Sequence, residues 1–134
     1  MKILAVTTTR ADYGIMSGLF LALQNMSAFE FRLAVTGNHL SDSHGFTLNE
    51  ILCDGLEVSY QIPFSLWKDD EEFLTKSVAS LMTDFADLLS RDRPDLLIIL
   101  GDRYEIIAPV FAAVMQRIPI AHIHGGEETT GAVD

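Results

Sequence analysis

The stretch DLLIIL at 95–100 limits the possible fold more than any other feature of the sequence. Its aliphatic run, Leu96 to Leu100, has no polar side when it is extended as a strand, so both of its faces must be covered. Strands of this kind belong to parallel sheets that carry helices on both faces. The run is far shorter than the roughly 20 apolar residues that a membrane-spanning helix needs. We therefore expect an α/β protein built around this strand, with no membrane partner.

The rest of the chain alternates between strand-like and helix-like segments. The expected strands cover 2–9, 30–37, 56–62, 93–100 and 118–124, and the expected helices cover 13–26, 45–55, 69–91 and 104–117. The apolar stripes expected on the first and third helices are Ile15, Leu19, Ala22, Leu23 and Met26, and Phe73, Ser77, Leu81, Phe85 and Leu88. Regular alternation predicts a Rossmann-like, doubly wound parallel sheet with right-handed crossovers, in which the fourth strand is central.

Charge and cysteine content narrow the range of partners. The formal net charge of −10 argues against a nucleic-acid binder, which needs a basic face. It leaves room for a small anionic ligand, because arginines and helix N-termini can hold a phosphate on an acidic protein. The single cysteine, Cys53, and the absence of a secretory signal after Lys2 favour a cytoplasmic location.

Polar motifs follow the first, fourth and fifth expected strands, and a weaker one, TGNHLSDSHG, follows the second. The three are TTTRADYG, GDRYE and HIHGGE. In open parallel sheets ligands bind outside the carboxyl ends of the strands, where these loops meet. Each loop taken alone also fits an ordinary polar turn.

The first loop lacks the G-x-G-x-x-G pattern of dinucleotide sites. Arg10 and the helix N–H groups near Tyr13 and Gly14 are a possible phosphate site. The alternative is a weak surface pair between Arg10 and Asp12.

In GDRYE, Asp102 is a candidate acid or base, or an orienter of one, and Arg103 a candidate partner for an anion. The alternative is that Asp102 and Glu105 only cap the following helix.

In HIHGGE, His122 and His124 lie two apart and share a strand face, as a metal pair would. No third ligand is evident, so we expect no metal, and a histidine that donates to the backbone is the commoner arrangement. Glu127 follows two glycines and is free to reach a ligand.

Together the segments TTTRADYGI, VTGNHL, LGDRYEI and IPIAHIHGGEETTGAVD resemble the N-terminal region of hydrolysing UDP-N-acetylglucosamine 2-epimerases. These enzymes make N-acetylmannosamine for sialic acid synthesis. The resemblance implies a glycosyltransferase-B-like architecture that binds a UDP-sugar between two Rossmann-like halves, with no cofactor and a homo-oligomer at full length. It also implies that residues 1–134 form an incomplete N-terminal domain without the C-terminal one, so that this chain alone is not expected to be active.

The implied reaction removes the proton at sugar C2 while UDP leaves C1, and water then adds to the 2-acetamidoglucal. By resemblance, the catalytic carboxylates are Asp102, Glu127 and Asp134. His124 stands where many relatives carry a catalytic glutamate. The base that acts at C2 is therefore left open among His124 and the three carboxylates.

The positions that resemble UDP contacts are Arg10, Ala11, Gly14 and Arg103. Three alternatives stay open: a bacillosamine-type UDP-sugar as substrate, the N-domain of a glycosyltransferase, and a non-catalytic Rossmann-like binding module.

Overall fold

A computed structural model describes residues 1–41, 46–65 and 70–126 of the chain. The strands are β1 (Lys2–Thr7), β2 (Glu30–Val35), β3 (Val58–Gln61), β4 (Leu96–Leu100) and β5 (Ile120–Ile123). The helices are α1 (Arg10–Asn25), α2 (Leu48–Cys53), α3 (Glu71–Asp92) and α4 (Ile107–Met115). Short 3₁₀ helices cover Gly37–Leu40 and Tyr104–Ile106. Every expected strand and helix is present, in the expected order.

The five described strands form one parallel sheet in the order β3-β2-β1-β4-β5. This confirms the α/β, doubly wound class. The expectation that the fourth strand is central was wrong: among the described strands β1 holds the middle and β4 pairs with β1 and β5. An apolar run indicates that both faces of a strand are buried. Because every interior strand has two buried faces, the run does not determine which interior position the strand occupies.

Strand β4 has the two buried faces that its sequence predicts. Leu97 and Ile99 belong to a core that includes α3 and α4, whereas Ile98 belongs to the core under α1 and α2. Side chains alternate between faces along a strand, so this one segment supports both helical layers. Its pairing with β1 ends at Ile98, whereas its pairing with β5 continues to Leu100, and the Gly101 N–H donates to the Ile123 carbonyl at 2.9 Å. Strand β5 therefore holds the start of the segment that follows Leu100.

Helix α1 begins three residues earlier than expected and buries a different face. Thr9 accepts from the backbone N–H of Asp12, and Asp12 accepts from that of Thr9, a reciprocal capping box that starts the helix at Arg10. The buried apolar residues are Tyr13, Met16, Phe20 and Leu23. The expected stripe was wrong except for Leu23: Ile15 is 65% exposed and Leu19 38%. Two adjacent apolar stripes compete on this helix, and the one that carries the two aromatic rings buries more apolar area.

The other helices agree more closely with the sequence. Helix α2 is followed by Gly55, which has a φ of +84° as expected for a helix-ending glycine. Helix α3 starts at an Asp70 cap and buries its expected stripe, with Phe73 only half-buried. Pro109 lies in the first turn of α4, where it removes no helical hydrogen bond. No helix within the described ranges is long and apolar enough to span a bilayer.

Candidate functional site

The loop between β1 and α1 is tied down by a buried carboxylate. Asp12 accepts from the Thr7 hydroxyl, from the Thr8 N–H at 2.9 Å and hydroxyl at 2.8 Å, and from the Thr9 N–H at 3.1 Å. Burial raises the pKa of the Asp12 carboxyl, but contact with His39 and the bonds from Thr7 and Thr8 outweigh it and lower the pKa below 3.8. The alternative of a surface pair between Arg10 and Asp12 was wrong, because the buried Asp12 carboxylate accepts its hydrogen bonds from the threonines of the loop.

The same network reaches the segment after β2. The fully buried His39 contacts the Thr7 hydroxyl with Nε2 at 3.0 Å and the Thr47 hydroxyl with Nδ1 at 2.7 Å. Gly37 allows the two segments to meet: its φ is +62°, and a Cβ there would lie 2.6 Å from the Thr8 carbonyl oxygen. The segments after β1 and β2 therefore form one hydrogen-bonded unit.

A cleft of about 450 Å³ opens above this unit. Its lining residues are Thr9, Arg10, Ala11, Asn38, Thr47, Glu50 and Arg103. The structure thus brings together three of the four residues expected to bind the ligand, from two different loops. The fourth, Gly14, does not line the cleft, since it lies one turn inside α1.

The free donors of α1 lie at its first residues, not near Tyr13 and Gly14 as expected. The Tyr13 N–H already donates to the Thr9 carbonyl at 3.0 Å. Because the capping box uses the Thr9 and Asp12 N–H groups, those of Arg10 and Ala11 have no partner among the described residues. Arg10 donates from Nε to Glu50 at 3.0 Å, across an exposed pair. Both of its terminal amino groups stay available.

Arg103 is held by a buried partner, Glu105, which the sequence indicated only as a helix cap. Its Nε and Nη2 donate to one oxygen of Glu105, at 3.2 and 2.6 Å. Glu105 is fully buried, and its other oxygen has no partner among the described residues. Burial lowers the pKa of the Arg103 guanidinium, but the hydrogen bond and charge of Glu105 outweigh it and raise that pKa. Glu105 therefore holds the charged Arg103 guanidinium in place, and Arg103 lines the cleft.

Asp102 is exposed and has no hydrogen bond or ion pair with any described residue. It does not cap the next helix: the cap position is Arg103, and no side chain caps there. The alternative in which Asp102 and Glu105 serve as helix caps was therefore wrong. A carboxylate with no internal role stands beside Arg103 at the end of β4.

The two histidines do not share a strand face. His122 lies on β5 and donates from Nε2 to the Gly101 carbonyl at 2.6 Å, the backbone bond that was the alternative to a metal. His124 follows the strand with a φ of +53° and is exposed. Gly125 packs against His122, where a Cβ would lie 2.4 Å from the ring. Within the described residues no three His, Cys, Asp or Glu side chains are grouped to hold a metal. The candidates Glu127 and Asp134 lie outside the described residues.

Sequence reasoning missed four residues around the cleft, Asn38, His39, Thr47 and Glu50, and it considered Glu105 only as a helix cap. The motif TGNHL contained a signal for two of them, since it follows a strand at the ligand-binding edge. The capping-box spacing of Thr9 and Asp12 was a signal for the start of α1. No local signal marks Thr47 or Glu50, because both approach the cleft from a distant part of the chain.

Comparison with known proteins gives consistent matches. The family model described as UDP-N-acetylglucosamine 2-epimerase matches residues 21–134. The chain is 36% identical over 133 residues to a Legionella pneumophila protein named UDP-N,N'-diacetylbacillosamine 2-epimerase (hydrolyzing), covering 99% of this chain and 35% of that protein. It is 35% identical to the Escherichia coli polysialic acid biosynthesis protein P7, covering 99% and 34%. The chain spans about a third of the length of these curated relatives.

Solved structures share the fold. A UDP-GlcNAc 2-epimerase from Neisseria meningitidis, bound to UDP-GlcNAc, superposes with a TM-score of 0.79 at 23% identity, covering 98% of this chain and 34% of that one. The Methanocaldococcus jannaschii UDP-GlcNAc 2-epimerase, in complex with UDP-GlcNAc and UDP, superposes with a TM-score of 0.78 at 18% identity. The match covers 98% of this chain and 34% of that one. Because the family model matches well over half of the residues, the chain belongs to the UDP-N-acetylglucosamine 2-epimerase family.

Proposed function

We propose that this chain is part of a hydrolysing 2-epimerase that converts UDP-N-acetylglucosamine into N-acetylmannosamine and UDP. One observation carries the proposal: one cleft at the carboxyl edge of the sheet is lined by Arg10, Ala11 and Arg103, and the residue before Arg103 is the exposed Asp102, which does not itself line the cleft. Two guanidinium groups and free helix N–H groups suit a diphosphate. An exposed, unpaired carboxylate on a rigid strand end suits proton transfer.

The chemistry that fits this arrangement begins with an elimination. A base takes the proton from sugar C2, the C1–O bond breaks, and UDP leaves with the bonding electrons. Arg10 and Arg103 stabilise the negative charge that develops on the leaving diphosphate. Water then adds its hydroxyl to C1 of the 2-acetamidoglucal and a proton returns to C2 on the opposite face. Asp102, Glu127, His124 and Asp134 are the groups we assign to these proton transfers.

We also propose that residues 1–134 are the incomplete N-terminal domain of a two-domain enzyme. The support is the coverage of about a third of each relative. The isolated chain is then expected to bind UDP weakly and to turn over nothing, since it supplies one wall of the binding site.

A second substrate is favoured by a specific observation. Two relatives, at 36% and 35% identity, are named as diacetylbacillosamine 2-epimerases, whereas a Neisseria meningitidis relative named as a UDP-N-acetylglucosamine 2-epimerase is 29% identical. The two sugars differ at C4, where an acetamido group replaces a hydroxyl, and at C6, where the hydroxyl is absent. Both reactions use the same elimination and the same diphosphate contacts.

The test is to incubate the full-length protein separately with both UDP-sugars and to measure the free 2-epimeric sugar and UDP. Release of both products in equal amounts from either substrate is the expected result. Release of UDP with transfer of the sugar to an acceptor would replace the proposal with the glycosyltransferase alternative. Binding without any product would favour the non-catalytic module.

The full-length protein is further proposed to be a homo-oligomer. Helix α4 supports this with an exposed apolar face formed by Ile107 at 55% exposure, Phe111 at 49%, Val114 at 53% and Met115 at 62%. Light scattering after size-exclusion chromatography tests it: a dimer or larger species is expected, and a monomer at tens of micromolar would contradict it.

A further inference from the structure

The hydrogen-bond network under the cleft runs from Asp12 through Thr7 and His39 to Thr47. An ionised carboxylate only accepts, so the single hydroxyl proton of Thr7 points to Asp12. The Thr7 oxygen must then accept from His39, which places the ring proton on Nε2. We infer a neutral ring, in which Nδ1 is left as an acceptor, and its partner at 2.7 Å is the Thr47 hydroxyl. Thr47 therefore donates its only proton inward.

This bond explains an otherwise unexpected feature of α2. Thr47 occupies the N-cap position of that helix, where a threonine hydroxyl normally accepts from the helix backbone. Here it makes no capping bond and turns to His39. Helix capping thus does not account for this side chain, which is half-buried and lines the cleft.

The consequence for a ligand follows from the direction of the bond. With its proton committed to His39, Thr47 can offer only oxygen lone pairs to the cleft. The neighbouring cleft residue Glu50 offers carboxylate oxygens, which also only accept. Arg10, Ala11 and Arg103 offer only donors. The cleft is therefore lined both by donors, which suit a diphosphate, and by acceptors, which suit hydroxyl or amide N–H groups.

We propose that Thr47 is a specificity-determining residue that accepts a hydrogen bond from a hydroxyl or amide N–H group on the sugar of the nucleotide sugar, with His39 as the residue that positions it. This assignment rests on the proposed function for the identity of the ligand. Thr47 contacts the sugar part of the ligand and not the nucleotide part. A neutral hydrogen bond of this kind contributes on the order of 1 kcal/mol, or about 3- to 10-fold in affinity.

The test compares Thr47→Val, which keeps the shape and removes the acceptor, with Thr47→Ser, which keeps the acceptor. In the full-length protein we measure the KM for UDP-N-acetylglucosamine, or its Kd if the protein binds without turnover, and the Kd for UDP alone. Thr47→Val is expected to weaken the binding of UDP-N-acetylglucosamine about 3- to 10-fold and to leave the Kd for UDP unchanged. Thr47→Ser is expected to have the wild-type affinity for both ligands. Thr47→Ala serves as a second variant without the acceptor if the valine variant does not fold.

The outcomes separate this proposal from the function on which it rests. If Thr47→Val weakened the binding of UDP and of UDP-sugar equally, the proposal would be overturned, because Thr47 would then affect the diphosphate contacts or the structure of the loop. An unchanged UDP-sugar affinity in both acceptor-free variants would overturn it as well. Wild-type protein that binds UDP-sugar without releasing free sugar would refute the proposed reaction but still allow the binding comparison. Wild-type protein that binds neither ligand would overturn both.

Discussion

Two loops at the same edge of the sheet are built in opposite ways. The β1–α1 loop surrounds Asp12 with bonds from Thr7, Thr8 and Thr9, so that its carboxylate is buried and fully engaged. The β4–α4 loop leaves Asp102 exposed and without a partner among the described residues. Both acids follow interior strands within a few residues, so position in the fold does not account for the difference.

We propose that the difference reflects a division of tasks between the loops. A carboxylate that accepts several internal bonds is a structural anchor, and it holds the donors of α1 in fixed positions. A carboxylate with no internal bond is available to a substrate. Arg103 belongs to the β4–α4 loop, as Asp102 does. Its buried partner Glu105 nevertheless holds its side chain in place, as the threonines of the β1–α1 loop hold Asp12.

Replacing Asp102 is expected to have the largest effect. Asp102→Asn keeps the size of the side chain and removes its charge. Turnover of the full-length enzyme should fall on the order of 100-fold or more, the usual scale for lost acid–base catalysis. The melting temperature should stay unchanged, because this side chain stabilises nothing within the described part of the chain. Steady-state kinetics and a melting curve on the same preparation check both, and a variant that keeps most of its rate would remove Asp102 from the mechanism.

Asp12→Asn is the matched change in the anchored loop and should act on stability. The amide nitrogen would face N–H and O–H groups that need an acceptor, so the free energy of unfolding should fall by about 2 kcal/mol, or ~30-fold in the folded-to-unfolded ratio. Urea denaturation measures this. An unchanged midpoint would show that the network contributes little.

Asp12 also predicts how stability depends on pH. Its pKa in the folded protein is lowered below 3.8, so its contribution is complete above that value and is lost as the pH falls through the folded pKa. Wild-type protein should therefore lose stability more steeply than Asp12→Asn in acid below about pH 4. Parallel slopes in melting experiments across that range would contradict the assignment.

Glu105→Gln should have a smaller effect, confined to binding. The amide still accepts from Arg103 but no longer attracts its charge, so UDP should bind about 3- to 10-fold more weakly. Stability should change by less than about 1 kcal/mol, because the bond from Arg103 is kept and the oxygen without a described partner is exchanged for an amide group in the same position. A large loss of stability with unchanged UDP affinity would make Glu105 a structural residue.

Gly14→Ala should have the smallest effect and tests a position carried over from the family resemblance. A Cβ there meets nothing within 4 Å, and alanine favours a helix over glycine, so stability should rise by about 0.5–1 kcal/mol. UDP affinity should not change, since Gly14 does not line the cleft. A clear loss of UDP binding would restore Gly14 to the site.

The sequence was sufficient for the fold because its strongest signals are local. The run Leu96–Leu100 requires cover on both faces, and alternation of segment types requires a parallel sheet. The buried face of α1 was predicted wrongly because two apolar stripes lie side by side, and only packing against the sheet decides between them. Helix starts were misplaced where the capping residues had not been recognised, as at Thr9.

The site was predicted only in part for a different reason. Arg10, Ala11 and Arg103 were identified by motif, and the structure places them around one cleft. The partners that orient the loops come from elsewhere: His39 reaches Thr7 across 32 positions of sequence. Such contacts have no local pattern, because they depend on how β2 pairs with β1.

The most direct measurement is a pair of calorimetric titrations with UDP on variants of two neighbouring residues. If Asp102 serves chemistry and Arg103 serves binding, Asp102→Asn in the full-length protein should bind UDP within about twofold of the wild type, whereas Arg103→Ala should lose at least about tenfold. Weak binding by both variants, or wild-type binding by both, would contradict the division of tasks between the anchored and the reactive groups of this site.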